Sequence, residues 1–212
     1  MGVIERKERE KIQRRNTIID AAELVFFKRG IENASMDEVA QEAELSKGTL
    51  YLYFKSKEEL YRAIILRGFI ILKRQLKEAA QTHDTGFQQV KAISEAYIKF
   101  SYDYSGYFDA ILYYQNDLFN SRQREQSQVE SLEGGNAVIG VLVHAIEKGK
   151  ADGSINAELN PVETAFVLWS QITGLLQVIQ RKMSIISYHY KIKRDDMFQT
   201  YFDLLEKSLS PK

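Results

Sequence analysis

Ser35-Met36-Asp37-Glu38-Val39-Ala40-Gln41-Glu42-Ala43-Glu44-Leu45-Ser46-Lys47-Gly48-Thr49-Leu50-Tyr51-Leu52-Tyr53-Phe54-Lys55-Ser56-Lys57-Glu58-Glu59-Leu60 reads as two short helices, a tight turn between them and the start of a third. Ser35 and Glu38 have the spacing of a capping box, in which the hydroxyl accepts from the amide three residues on and the carboxylate reaches back to the cap's own amide. Met36, Val39, Ala40 and Ala43 follow at i, i+3, i+4 and i+7, one buried stripe about two turns long. Glu44-Leu45-Ser46 breaks that pattern. Ser46 is a second N-cap, for a helix running from Lys47 to Phe54.

The second helix is unusual in what it leaves outside. Leu50 and Phe54 share a face at i, i+4 and can anchor it, while Lys47, Thr49, Tyr51 and Tyr53 project elsewhere. Gly48 stands in its first turn, where glycine costs about 1 kcal/mol relative to alanine, so its missing side chain is expected to permit close approach. Free amides, a bare glycine, hydroxyls and a lysine suit a phosphate backbone and base edges. The spacing predicts the recognition helix of a helix-turn-helix.

The segments Ala34 to Ala40 and Ser46 to Leu60 together resemble the DNA-binding segment of the TetR family of transcriptional repressors. One residue departs from the pattern: the family usually carries glycine after the alanine in the turn, and Glu44 stands there. A turn position with positive φ would penalise glutamate. The resemblance implies Ser35, Ser46, Lys47, Gly48, Thr49, Tyr51, Tyr53 and Lys57 as the DNA-binding set, with Lys57 fixing the DNA backbone. It implies double-stranded DNA with a palindromic operator as partner, a homodimer, and a small, mainly apolar inducer, with no cofactor and no metal. Two helix-turn-helix units about one helical turn (~34 Å) apart read a palindrome.

Composition bounds the rest. The 212 residues include 44% hydrophobic and 27% charged, ordinary for a globular chain with a substantial core. Cysteine is absent, which removes disulfides and thiolate metal sites. The start turns charged at Glu5-Arg6-Lys7, and the apolar run Ala63 to Leu72 is split by Arg67-Gly68, so neither a signal peptide nor a bilayer span is expected, and the location expected is cytoplasmic. Net charge is zero, yet residues 1–75 carry 15 basic and 12 acidic side chains. That excess fits a DNA-binding end on a neutral-to-acidic partner domain.

Taken in order, the chain predicts an all-α fold: a three-helix domain over 1–55, a connecting helix over 56–80 and a larger helical ligand-binding and dimerisation domain over 81–212. Residues 5–15 mix both signs and are expected to extend or fray as an arm or tail. Ile18, Ala21, Ala22, Val25 and Phe26 form a stripe ended by Gly30. Ser56 with Glu59 begins the connecting helix, and Thr85 with Gln88 caps the next. That helix places Val90, Ile93, Tyr97, Phe100 and Tyr104 on one face. Ser105-Gly106 interrupts, a short helix follows, and Asn120-Ser121 restarts the chain into a long helix containing Gly134-Gly135. Asn160-Pro161 opens a helix lined by Ala165, Phe166, Trp169, Ile172 and Leu176 to about Lys182, and Arg194 to Leu209 forms the last.

Tyr97, Phe100, Tyr104, Phe108, Tyr113 and Trp169, with Tyr107 and Tyr114 nearby, read either as plain core or as walls of a ligand cavity whose phenols orient a guest. Gly174, Phe198, Tyr201 and Leu205 are the expected dimer interface, following the family's pairing of its two final helices, although a monomeric core would use most of the same residues. The resemblance further implies that a ligand shifts the helix from Lys57 to Ala80. Two other classes stay open: a helical protein-interaction module, and an enzyme without a recognisable motif. His83, His144 and His189 are scattered, and His144 with Glu147 is two ligands without further partners. No catalytic residue is expected.

Overall fold

Gly30, at φ +76°, ends α1 (Val3–Arg29), and its amide donates to the Phe26 carbonyl at 2.8 Å. This computed structural model describes residues 3–117 and 126–211, with side chains described for 5–113 and 132–211. Residues 5–15 are helical throughout α1 rather than an extended arm. No glycine or proline interrupts them, and Arg6 pairs with Glu10 one turn on at 2.8 Å. The capping box at Ser35 forms as expected, with the Ser35 amide donating to Glu38 Oε2 at 2.9 Å, and it opens α2 (Met36–Glu42). Ser46 caps α3 (Lys47–Tyr53), its Oγ accepting from the Thr49 amide at 3.2 Å. At α4 (Lys57–Gln81) the Ser56 hydroxyl accepts from the Glu59 amide, but the Glu59 carboxylate reaches the Lys55 amide, one residue further back than a capping box predicts.

The remaining helices among the described residues are α5 (Gly86–Asp103), α6 (Ser105–Asp117), α7 (Gln126–Asp152), α8 (Pro161–Tyr190) and α9 (Arg194–Leu209), and no strand occurs among them. Thr85 with Gln88 and Asn160 with Pro161 cap α5 and α8 as their sequence predicts. α8 runs two turns beyond Lys182, since nothing breaks Met183 to Tyr190, and it stops at Lys191 with φ +59°. The restart expected at Asn120-Ser121 lies outside the described residues, as does the Tyr114 side chain.

The chain divides into two compact units: residues 1–69 with 105–134, and residues 70–104 with 135–212. These limits differ from a division at 55 and 80, because α6 belongs with α1 to α3 and the boundary falls inside α4. In the first unit Ile18, Ala22, Phe26, Val39, Leu50, Phe54, Leu60 and Ile64 are buried together with Phe108 and Ile111 of α6. α6 seats closely on α1: a Cβ on Gly106 would stand 2.5 Å from the Phe27 ring. Arg67 of α4 adds an ion pair to Glu23 of α1 at 2.8 Å, and the Tyr107 hydroxyl of α6 donates to the same carboxylate at 2.7 Å.

In the second unit the core is built from Leu72, Leu76, Val90, Ile93, Phe100, Leu142, Ile146, Leu168, Ile172, Leu176 and Leu209. α5 and α7 cross at backbone contact. A Cβ on Gly86 would lie 2.0 Å from the Gly149 nitrogen, so only glycine fits there. Asp152 ties the crossing by accepting from the Gly86 amide at 2.7 Å, and the hydrogen bonds it receives from Ser154, then from Gly86, hold its carboxyl below the usual range.

Glu44 takes φ +54° in the turn between α2 and α3. A left-handed non-glycine residue carries roughly 1–2 kcal/mol of strain, which glycine relieves. Glu44→Gly is therefore expected to raise stability by about 1 kcal/mol, read as a higher midpoint in urea with an unchanged slope.

Candidate functional site

α3 is held from beneath. Leu50 and Phe54 are fully buried, and the Arg15 guanidinium of α1 stacks 4.9 Å from the Phe54 ring centre. The predicted residues lie on the outward side to differing degrees. Ser46, Lys47 and Gly48 are exposed, while Thr49, Tyr51 and Tyr53 are half-buried. A Cβ on Gly48 would meet nothing closer than Ser46 Oγ at 4.0 Å, so the space above it is open. Ser35 is exposed, and its hydroxyl is engaged with Glu38.

Two of the predicted cations have partners within the chain. Lys47 Nζ lies 2.7 Å from Asp37 of α2, and the hydrogen bond to that carboxylate raises the lysine's pKa. Lys57 Nζ donates to the Glu32 and Ala34 carbonyls at 3.3 and 3.1 Å, tying the start of α4 to the link between α1 and α2. Leu52 is a residue that the sequence reading passed over. It is 75% exposed and stands four residues after Gly48, on the same face of α3. That spacing was the available signal.

The predicted cavity residues separate. Tyr97 and Trp169 meet in the second unit, where they line a cavity of about 30 Å³ with Leu76, Ile93, Ser94, Val138, Ile139, Leu142, Leu168, Ile172 and Tyr201. Phe100 is fully buried there and stacks on Tyr104 at 5.4 Å, but neither lines the cavity. Phe108 and Tyr113 belong to the first unit. Phe108 is core, and the Tyr113 hydroxyl donates to Glu32 at 3.2 Å.

The cavity's polar groups differ in their satisfaction. Tyr97 Oη accepts from Trp169 Nε1 at 3.3 Å and shares a 3.1 Å hydrogen bond with Thr173 Oγ1. Burial raises the Tyr97 phenol's pKa, against the pull of those two bonds. Thr173 stands four residues after Trp169, a spacing that could have announced it. Tyr201 Oη, in contrast, is buried without a partner of hydrogen-bonding geometry. Burial raises its pKa, and Ser94 beside it opposes the shift.

α8 carries two apolar stripes. Ala165, Leu168, Ile172, Leu176 and Ile179 are buried, whereas Val167 (55%), Val178 (37%) and Ile185 (61%) are exposed on the far side with Gly174. Leu204 of α9 is 60% exposed as well. Among the expected interface residues, Gly174 is exposed with nothing within 4 Å of an added Cβ, and Phe198 is half-buried. Tyr201 and Leu205 are buried within their own unit. By length and composition α8 could cross a membrane, with 33% of its most apolar window buried; a helix packed on two sides has the same composition.

His144 lies 3.9 Å from Glu147 and is 82% exposed, and no group of three metal-binding side chains occurs among the described residues. The fold and the turn-helix surface define a helix-turn-helix protein with a second helical unit. Residues 18–64 match the family model described as "Bacterial regulatory proteins, tetR family". It is 37% identical over 112 residues to the HTH-type transcriptional activator FasR of Mycolicibacterium smegmatis, a match covering 52% of this chain and 50% of FasR. The chain thus spans about half the length of that relative. It is 25% identical over 184 residues to the HTH-type transcriptional regulator TtgR of Pseudomonas putida, covering 82% of this chain and 84% of TtgR. In fold it resembles FadR of Bacillus subtilis in complex with stearoyl-CoA, with TM-score 0.68 and 18% identity over 91% of this chain and 98% of that one.

Because Lys57 is tied to two carbonyls in the free chain, Lys57→Ala is expected to cost about 1 kcal/mol of stability in the absence of any DNA. Thermal denaturation of the isolated variant measures it; an unchanged midpoint would leave the lysine free of that structural duty.

Proposed function

We propose that this protein is a cytoplasmic, homodimeric transcriptional regulator that holds a palindromic operator through α3 and releases it when a small, mainly apolar molecule enters the second unit. The observation carrying the reading is the exposed face of α3. Gly48 is open and Leu52 is 75% exposed, while Leu50 and Phe54 directly behind them are fully buried. A helix anchored on one side with hydroxyls, a bare glycine and an apolar side chain on the other fits a major groove, where Leu52 would meet thymine methyl groups. Ser46, Lys47, Thr49, Tyr51 and Tyr53 supply backbone and base contacts around it, with Ser35 and Lys57 at the phosphates.

The free apolar stripe on α8, continued by Leu204 of α9, supports pairing with a second copy of the chain across a four-helix interface. Tyr97 and Trp169 are the sensor residues, and α4, which contributes Leu76 to the cavity wall, is the element through which occupancy would act.

Gly48→Glu is expected to abolish binding to an operator duplex in a gel shift while leaving dimers intact, because it puts a carboxylate where phosphate or a base edge must come. Wild-type affinity in the variant would sink the proposed docking. Ile185→Asp buries a charge in the proposed subunit interface and is expected to yield monomers in sedimentation equilibrium. A dimer of undiminished affinity would place the interface elsewhere.

A further inference from the structure

The cavity in the second unit is lined by uncharged side chains throughout. An ionised carboxylate or ammonium inside it would be buried without a counter-charge, an arrangement that is strongly disfavoured. Its walls are mostly aliphatic, so an apolar body is welcome. Of its two phenols, Tyr97 is already committed to Thr173 and Trp169. Tyr201 is not: it is 8% exposed, borders the cavity and has no hydrogen-bond partner for its hydroxyl. Ser94 beside it spends its own proton on the Val90 carbonyl at 3.0 Å, and its oxygen, near enough to oppose the rise in the phenol's pKa, is not in hydrogen-bonding geometry with the Tyr201 hydroxyl. The donor left over on this wall is therefore the Tyr201 O–H, and an unmade buried hydrogen bond is a free-energy cost that an incoming acceptor removes.

We propose that the cavity takes an uncharged, mainly apolar molecule carrying one hydrogen-bond acceptor, of the ketone or ester class, whose oxygen accepts from the Tyr201 hydroxyl. This rests on reading the second unit as a ligand sensor, and it names the ligand's chemistry. At about 30 Å³ the cavity holds little more than a water molecule. A ligand of several carbons must part the walls supplied by α4, α5, α7, α8 and α9. Entry is thereby coupled to helix displacement, with the new hydrogen bond and the buried apolar area opposing the cost of opening. Tyr97 and Trp169 also line the cavity, their polar groups already satisfied with Thr173, and Trp169 reports the change.

The test uses the full chain and three probes of matched length: methyl hexyl ketone, octanoate and octylammonium. Calorimetry is expected to show ketone binding with both ions at least about tenfold weaker, accompanied by a change in Trp169 emission. Tyr201→Phe is expected to lose about tenfold in ketone affinity while its melting temperature stays at or above that of the parent, since the variant deletes an unpartnered hydroxyl. Octanoate binding as tightly as the ketone would overturn the proposal. So would a Tyr201→Phe variant with unchanged ketone affinity, or absence of binding by all three probes with only an ordered water on Tyr201. A gel shift on the ligand-free protein keeps the two readings apart. Duplex binding without ketone binding removes the cavity assignment alone, and ketone binding without duplex binding removes the regulator reading alone.

Discussion

The burial of Leu50 and Phe54 beneath α3 is the contact on which the turn-helix surface depends. A seven-residue helix does not persist by itself in water, since nucleation is costly and so few hydrogen bonds follow. Two fully buried side chains contribute about 2 kcal/mol each, and the Ser46 cap satisfies an amide that would otherwise be unpaired. That anchoring allows the opposite face to be chosen for something other than stability. Gly48 is a poor choice for a helix standing alone, and it is tolerable here because the helix is held from behind.

The second unit solves a different problem. Its core buries several hydroxyl groups that must lose water; Ser94 and Ser101 donate to backbone carbonyls, and Tyr97 and Thr173 satisfy each other. Tyr97 and Thr173 share a hydrogen bond and Trp169 completes the set, so that side of the cavity is stable as it stands. Tyr201 lies outside this arrangement and keeps an unmade bond. A well-packed core rarely leaves such a group, so its position on a cavity wall distinguishes it from ordinary packing.

Much of the local structure was legible in the sequence for a physical reason: caps and breakers act through neighbouring residues. Ser35, Ser46, Thr85, Asn160 and Gly30 each set a helix end where their spacing placed it. Where a signal was longer in range, reading failed. Residues 5–15 continue α1 because nothing interrupts them, and α8 outlasts Lys182 for the same reason. The break after Tyr104 was legible, but not that it sends Phe108 and Tyr113, read as walls of the same cavity as Tyr97, into the other unit.

The sequence by itself determined the two short capped helices, the turn between them and the all-α class, because those follow from periodicity, capping and turn chemistry over a few residues. Only the tertiary structure decided that Lys57 is tied to two carbonyls, that Leu205 and Tyr201 face inward, and that one phenol is left without a partner. These facts depend on which helix face meets which neighbour across dozens of residues. An apolar stripe records that a face is buried, never what it is buried against.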